Sequence, residues 1–242
     1  LISIVSPVFN SESCLEELVE RIIFNTNSLS SEIEIILIDD GSIDRSWKKI
    51  KELKKKYNFI KGIKLNKNYG QHKAIYTGIK NSSKNLIIIM DCDLQDDPSF
   101  IGEMYKSYIK EKKPIIIQHS YADFDFKKRI ISNIFWYTLS VISLKKFSPN
   151  LGNYMLIDKP IRDKYLSINT IGYLYGDLII QKNIFSLIKK KRSIGIRKKT
   201  TYNFLKLLSL GLNLILKYNI LSRFFIDYDK KKIQHIITEE II

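Results

Sequence analysis

The chain has 242 residues, 45% of them hydrophobic, enough to bury a substantial core as one large domain or two small ones and too apolar for a disordered chain. Its 40 Lys and Arg against 25 Asp and Glu leave a net charge of +15, which favours an anionic partner such as a phosphorylated ligand, a nucleic acid or a membrane surface. Two cysteines, Cys14 and Cys92, exclude a disulfide framework and a cysteine-rich zinc site, so a reducing cytoplasm is the expected compartment.

The chain opens without Met and already inside an apolar strand, so further residues are expected before it. "LISIVSPVF" is a short buried strand, and "SESCLEELVERIIFNTNSL" places Leu15, Leu18, Val19, Ile22 and Ile23 at helical spacing. "EIEIILIDDGS" is a strand ending in a turn, "DRSWKKIKELKKKY" a helix, and "IKGIKLN" a strand. "GQHKAIYTGIKNS" is a helix, "NLIIIMD" a strand, and "PSFIGEMYKSYIKEKK" a helix followed by the strand "PIIIQH". Strands separated by single helices form βαβ units, which predicts an α/β fold with a mostly parallel sheet and helices on both faces.

Ligands bind such sheets at the carboxyl ends of the strands. The segments found there are Pro7–Asn10, Asp39–Ser42, Asn66–His72 and Asp91–Asp97. Most of them turn strongly polar directly after an apolar run, which predicts one composite site.

The sharpest signal is "IIIMDCDLQDDP", where four aspartates fall within seven positions. Asp91 and Asp93 stand one residue apart at a strand end, so both carboxylates can converge if the backbone turns there. Such oxygens, with open positions left over, suit Mg²⁺ or Mn²⁺, which keeps waters and takes further ligands from substrate phosphates. Asp97, and by the same reasoning Asp96, is read as a cap for the helix that starts at Pro98. A cap needs one carboxylate and leaves Asp91 unexplained.

The segments "SIVSPVFNSE", "IILIDDGSIDRS", "NKNYGQHKAIYTGIKNS" and "LIIIMDCDLQDDP" resemble, in order and spacing, family 2 glycosyltransferases of the GT-A fold. The "DxDLQDxP" form is similar to the polyprenyl-phosphate sugar transferases, the group of dolichyl-phosphate mannose synthase and undecaprenyl-phosphate glucosyltransferase. The resemblance covers about the first 100 residues. It implies a Rossmann-like GT-A domain and a nucleotide-sugar donor, UDP-, GDP- or dTDP-linked. Pro7, Phe9, Asn10 and Glu12 match the loop that holds base and ribose, and Asp39 and Asp40 match the acids that read the base. Asp91, Asp93 and Gln95 match the metal ligands, with Asp91 also toward the donor. Gly70, Gln71, His72 and Lys73 lie on the loop and helix start placed near the donor, where a helix amino terminus suits an anion.

The second half departs from the pattern. "LGNYMLID" aligns with a family segment that often reads Gly-Asp-Phe/Tyr, whose Asp has been proposed as catalytic base; here that position is Asn153, and an amide cannot accept a proton. Asp158 or Asp177 is then the candidate base, unless the acceptor needs none. Ser120 stands near a position where the family usually carries Arg. Lys128, Arg129, Ser132, Arg192 and Arg197 fall where lipid-phosphate transferases place acceptor-phosphate groups, and Arg suits bidentate phosphate contacts.

No uninterrupted apolar run reaches the ~18 residues that a membrane span needs. Phe126–Phe147 and Tyr202–Tyr218 instead read as amphipathic helices with basic flanks, able to lie in an anionic interface. The working division is a donor half, residues 1–120, and an acceptor and membrane-facing half, residues 121–242, in one continuous domain. A nucleotidyltransferase or Rossmann oxidoreductase would need a Gly-rich loop after the first strand, and "SPVFNSES" is not one. No nucleic-acid recognition motif is present, so nucleic acid is not an expected partner. The sequence therefore predicts a metal-dependent inverting transferase using Mg²⁺ or Mn²⁺. It would work from the cytoplasmic face of a membrane, onto a polyprenyl phosphate or alternatively onto a hydroxyl of a cell-surface glycan such as an O-antigen precursor. A weakened enzyme that mainly binds is the remaining alternative.

Overall fold

Apolar residues alternate along every central strand, and the alternation splits the core in two. Ile2, Ile4, Ile35, Leu37, Ile88 and Ile115 point into one cluster, while Val5, Ile36, Ile38, Ile87, Ile89 and Ile116 point into the other. A sheet buried on both faces must be covered by helices on both. The computed structural model describes residues 2–27, 29, 32–119, 126–145, 147, 151–167, 173–181, 184–191, 214, 215, 218 and 238–242, with only the backbone described at 126–129, 131, 132 and 180.

The elements run β1 (Ile2–Val8), α1 (Glu12–Thr26), β2 (Ile33–Asp39), α2 (Ser46–Lys56), β3 (Ile60–Leu65), α3 (Gln71–Lys80) and β4 (Leu86–Ile89). A 3-10 turn (Pro98–Phe100) then leads into α4 (Ile101–Glu111), β5 (Ile115–His119), α5 (Phe126–Ser143) and β6 (Leu151–Asp158). The remaining described elements are α6 (Lys159–Leu166), α7 (Leu174–Ile180), β7 (Ser186–Lys190) and β8 (Thr238–Ile241). Each helix and strand expected in the first half is present.

The eight described strands form one sheet in the order β7-β5-β6-β4-β1-β2-β3-β8. The pairs β1/β2, β1/β4, β2/β3 and β5/β7 are parallel, whereas β6 runs antiparallel to both β4 and β5, and β8 antiparallel to β3. The apolar sides of α1, α2 and α4 cover one face through Leu15, Leu18, Ile22, Trp47, Ile50 and Met104. Those of α3, α6 and α7 cover the other through Ile75, Ile79, Tyr165, Leu174 and Leu178. Truncating one of these core residues to Ala would cost about 2–5 kcal/mol.

Two glycines set how tightly the site is framed. A Cβ on Gly78 would meet Val5 Cγ1 at 2.4 Å and Ile38 Cδ1 at 2.6 Å, so only Gly lets α3 lie this close to the sheet. Gly41 has φ +70°, and a Cβ there would meet the backbone of Lys67 and Asn68 at 2.6 Å, which lets the loops after β2 and β3 touch.

Candidate active site

The loops after β1 and β2 are locked together by their own polar residues. Asn10, with φ 49°, donates its backbone N–H to Ser42 Oγ (2.9 Å) and accepts from the Ile43 N–H through Oδ1 (2.9 Å). The Ser11 N–H donates to Ser46 Oγ (2.9 Å) and the Glu12 N–H to Asp44 Oδ2 (3.2 Å). Pro7 is buried in β1 opposite Ile38, Phe9 and Asn10 are half-buried, and Glu12 is exposed at the start of α1. The fold thus brings Pro7, Phe9, Asn10 and Glu12 to one end of the sheet.

Asp39 and Asp40 divide their duties. Asp40 is buried, and its two oxygens accept the N–H groups of Tyr69 (2.7 Å) and Gly70 (2.9 Å), so it holds the loop that opens α3. Burial raises its pKa to about 6 against the opposing pull of those two amides. This amends the expectation that both acids face the ligand, because the Asp40 oxygens are engaged with the chain. Asp39 accepts the Ser42 N–H at Oδ1 (3.2 Å), while its buried Oδ2 has no partner among the described residues. Burial pushes the Asp39 carboxyl upward. An acceptor held without a donor in a closed polar setting is costly, and a ligand N–H or hydroxyl would relieve it.

The loop after β4 alternates in burial residue by residue. Asp91, Asp93, Gln95 and Asp97 are half-buried, whereas Cys92, Leu94, Asp96 and Pro98 are buried. The three expected metal ligands all belong to the open set. Asp93 Oδ1 accepts the Gln95 N–H (3.1 Å) across Leu94, which takes φ 63° to make the turn. Asp97 accepts the Ser99 N–H (2.9 Å) and caps the 3-10 turn, as read from the sequence. Asp96 does not cap; it accepts the Asp91 N–H instead (2.9 Å), which corrects that reading. Burial pushes the Cys92 thiol up to about 12 and leaves it inert.

Among the described residues no three His, Cys, Asp or Glu side chains gather to hold a metal by themselves. Asp91, Asp93 and Gln95 offer two carboxylates and a carboxamide. An all-oxygen set of this size fits Mg²⁺ or Mn²⁺ when water and phosphate oxygens complete the shell, and it does not fit a closed structural zinc site.

α3 begins beside this loop. Gly70, at φ 93°, precedes its first turn, and Gln71 Nε2 donates to Asp91 Oδ1 at 2.5 Å. The ring of His72 lies 5.7 Å from that of Tyr173, edge to face, and Lys73 Nζ lies 5.7 Å from the Tyr69 ring centroid. The hydroxyl of Tyr173 donates to the carbonyl of Leu151; burial, then the nearby Tyr175 and Asp91, drive its pKa far upward. In β6, Met155 pairs with Ile89 and Leu156 with Ile88, a register that sets Asn153 level with Asp91 when continued two residues. Asn153 is only 8% exposed, and its Oδ1 has no partner among the described residues. No sequence signal marked Tyr173; its place beside His72 comes only from contacts between distant segments.

The two candidate bases lie in different places, and each has a partner within the fold. Asp158 closes β6 opposite Leu86, at the amino end of β4, roughly 16 Å of strand from Asp91 at ~3.3 Å per residue. Its carboxylate accepts the Ile161 N–H (3.1 Å) to cap α6 and the Tyr108 hydroxyl (3.1 Å). Asp177 is buried in α7 and accepts the Tyr218 hydroxyl (2.8 Å). Because β6 is antiparallel, its last residue Asp158 lies at the end of the sheet away from Asp91, which corrects that expectation. Asp177 sits one turn along α7 from Tyr173, whose carbonyl lies within hydrogen-bond distance of the same Tyr218 hydroxyl. The side chains of Lys128, Arg129 and Ser132, together with Ser120, Arg192 and Arg197, lie outside the described residues.

The family model described as glycosyl transferase family 2 matches residues 3–169. The chain belongs to glycosyl transferase family 2. An undecaprenyl-phosphate 4-deoxy-4-formamido-L-arabinose transferase of Proteus mirabilis is 44% identical over 104 residues, 43% of this glycosyltransferase and 32% of that protein. The match thus spans about a third of that relative. An uncharacterized glycosyltransferase of Synechocystis is 26% identical over 91% of the chain and 70% of its own length. Among solved structures, glucosyl-3-phosphoglycerate synthase of Mycobacterium tuberculosis with Mn²⁺, UDP and phosphoglyceric acid superposes with a TM-score of 0.65 at 14% identity, covering 90% of this chain and 78% of that one. A mannosyltransferase of Pyrobaculum calidifontis with GDP-Man and Mn²⁺ gives 0.58 at 10% identity, covering 93% and 64%. At these identities the likeness establishes the fold, which is GT-A.

Proposed function

We propose that this glycosyltransferase moves a sugar from a nucleotide-sugar to a polyprenyl phosphate with inversion, using a divalent cation. The observation that carries the acceptor assignment is Asn153, level with Asp91 where a base would have to stand. A carboxamide cannot take a proton from a hydroxyl, but a phosphate acceptor arrives already ionised and needs no base. The 44% identity over 104 residues to an undecaprenyl-phosphate transferase supports the same reading.

On this reading each residue has a task. Asp39 Oδ2 accepts from the nucleotide, and Asn10 and Asp40 hold the loops around it. Asp91, Asp93 and Gln95 would hold Mg²⁺ or Mn²⁺, which when bound supplies charge neutralisation for the departing diphosphate. Gln71 fixes the Asp91 carboxylate, and the amino end of α3 with Lys73 favours anionic groups. Tyr173 and Asn153 line the side from which the acceptor approaches an anomeric carbon of oxocarbenium character.

Membrane contact belongs to the same proposal. No described helix is long and apolar enough to cross a membrane. Along α5, however, Ile130, Ile134, Tyr137 and Val141, with Leu144 just beyond it, are exposed at helical spacing. Such a stripe suits shallow insertion at the cytoplasmic face, where a polyprenyl phosphate resides.

The test is a panel of UDP-, GDP- and dTDP-sugars with Mn²⁺ or Mg²⁺, with and without undecaprenyl phosphate, reading released nucleotide and lipid-linked sugar together. Nucleotide release that depends on lipid and yields a labelled lipid supports the reading. Release without a lipid product moves the acceptor to a glycan hydroxyl or leaves a weakened enzyme.

A further inference from the structure

The loop carrying Asp91 and Asp93 is held from behind by residues that no reading of the donor site uses. Asp96 is 4% exposed and closes the loop by accepting the Asp91 N–H at Oδ2 (2.9 Å). Its other oxygen, Oδ1, faces Nε2 of His119 at 3.4 Å. His119 is the last residue of β5 and is 9% exposed. One residue further along the loop, the Asp97 carbonyl accepts the Tyr154 hydroxyl (2.7 Å), which ties the loop to β6 as well.

A buried carboxylate facing an imidazole is not needed to build a turn. Asp93 already makes one with Gln95, and Asp97 already caps the next element. The Asp96 carboxylate instead spans the loop and reaches the backbone of Asp91 itself. With Leu94 in the left-handed region, the loop has no regular backbone ladder to fix the direction of its open side chains. The alternation of open Asp91, Asp93 and Gln95 with buried Cys92, Leu94 and Asp96 depends on that span.

We propose that Asp96 and His119 are positioning residues that orient the Asp91 and Asp93 carboxylates for the divalent cation. The proposal rests on the donor-site reading above. His119 orients Asp96 from β5, Asp96 fixes the Asp91 amide, and the two ligand carboxylates are thereby aimed before cation or nucleotide arrives. Outer-shell partners of this kind set metal affinity without touching the ion.

The test is Mn²⁺ binding, followed by electron paramagnetic resonance of the free ion, to the 242-residue chain with UDP or GDP present, alongside melting temperature. Asp96→Ala should weaken Mn²⁺ binding about tenfold, within the range for loss of an outer-shell partner. Asp96→Asn keeps one acceptor oxygen of the same shape and should stay within about threefold of the parent, and His119→Ala should fall between the two. Parental Mn²⁺ affinity in Asp96→Ala would overturn the proposal. So would equal losses in Asp96→Ala and Asp96→Asn that track equal drops in melting temperature. If Asp96→Ala does not fold, His119→Ala decides: weakened binding supports the pair, and unchanged binding overturns it. Failure of the parent chain to take up Mn²⁺ with either nucleotide, with Asp91→Asn behaving alike, would instead overturn the donor-site reading and this proposal with it.

Discussion

Gln71 and Asp91, twenty residues apart, meet through a 2.5 Å hydrogen bond from the Gln71 carboxamide to Asp91 Oδ1. The contact joins the first turn of α3 to the loop after β4 and occupies one oxygen of a proposed cation ligand. Gln71→Ala is expected to leave the melting temperature within a few degrees and to weaken Mn²⁺ affinity about tenfold, as loss of a second partner to a ligand does. Titration of the cation against nucleotide release checks it.

Asp91→Asn and Asp93→Asn should each lose most transfer activity while the fold survives. Each replaces an ionised oxygen with a neutral one at a site suited to a hard cation. Circular dichroism and donor turnover measured on the same preparations separate the two effects; near-parental turnover in both variants would remove the metal assignment.

Asn153→Asp tests the acceptor. A carboxylate level with Asp91 would repel a phosphate acceptor, so transfer to undecaprenyl phosphate is expected to fall at least about tenfold, equivalent to ~1.4 kcal/mol of like-charge repulsion. A rise in transfer to a glycan hydroxyl would show that the position lacks only a base.

Asp40 makes stability depend on pH in a direction opposite to that of an ordinary paired carboxylate. Burial raises its pKa in the fold to about 6, from the 3.8 of a free aspartate. Between those values the folded chain binds more protons than the unfolded one, so this group's contribution improves as pH falls through 6 and levels off near 4. The slope cannot exceed about 1.4 kcal/mol per pH unit for one group. The gap in melting temperature between the parent and Asp40→Asn should therefore shift in the parent's favour from pH 7 to pH 5, and a constant gap would remove Asp40 as the source.

The exposed stripe on α5 should govern membrane contact. Ile134→Ser with Val141→Ser is expected to reduce co-sedimentation with anionic vesicles several-fold, the loss following the ~25 cal/mol per Å² of apolar area withheld from the interface. Equal sedimentation of parent and variant would move the contact elsewhere.

The amino-acid sequence alone determined the βαβ half and which loops meet at the carboxyl ends of its strands. Local periodicity and turn residues encode those features. The tertiary structure decided what depends on pairing between distant segments. Whether "LGNYMLID" lies parallel or antiparallel to β4 is not encoded in its own alternation, yet that direction carries Asn153 to the site and Asp158 to the far end. Asp39 and Asp40 are chemically identical neighbours, and only the approach of Tyr69 and Gly70 engages one while leaving an oxygen of the other without a partner among the described residues. Asp96 looked like a helix cap because caps are local; its hold on the Asp91 amide is local too, whereas its approach to His119 exists only once β4 and β5 share a sheet with β6 between them.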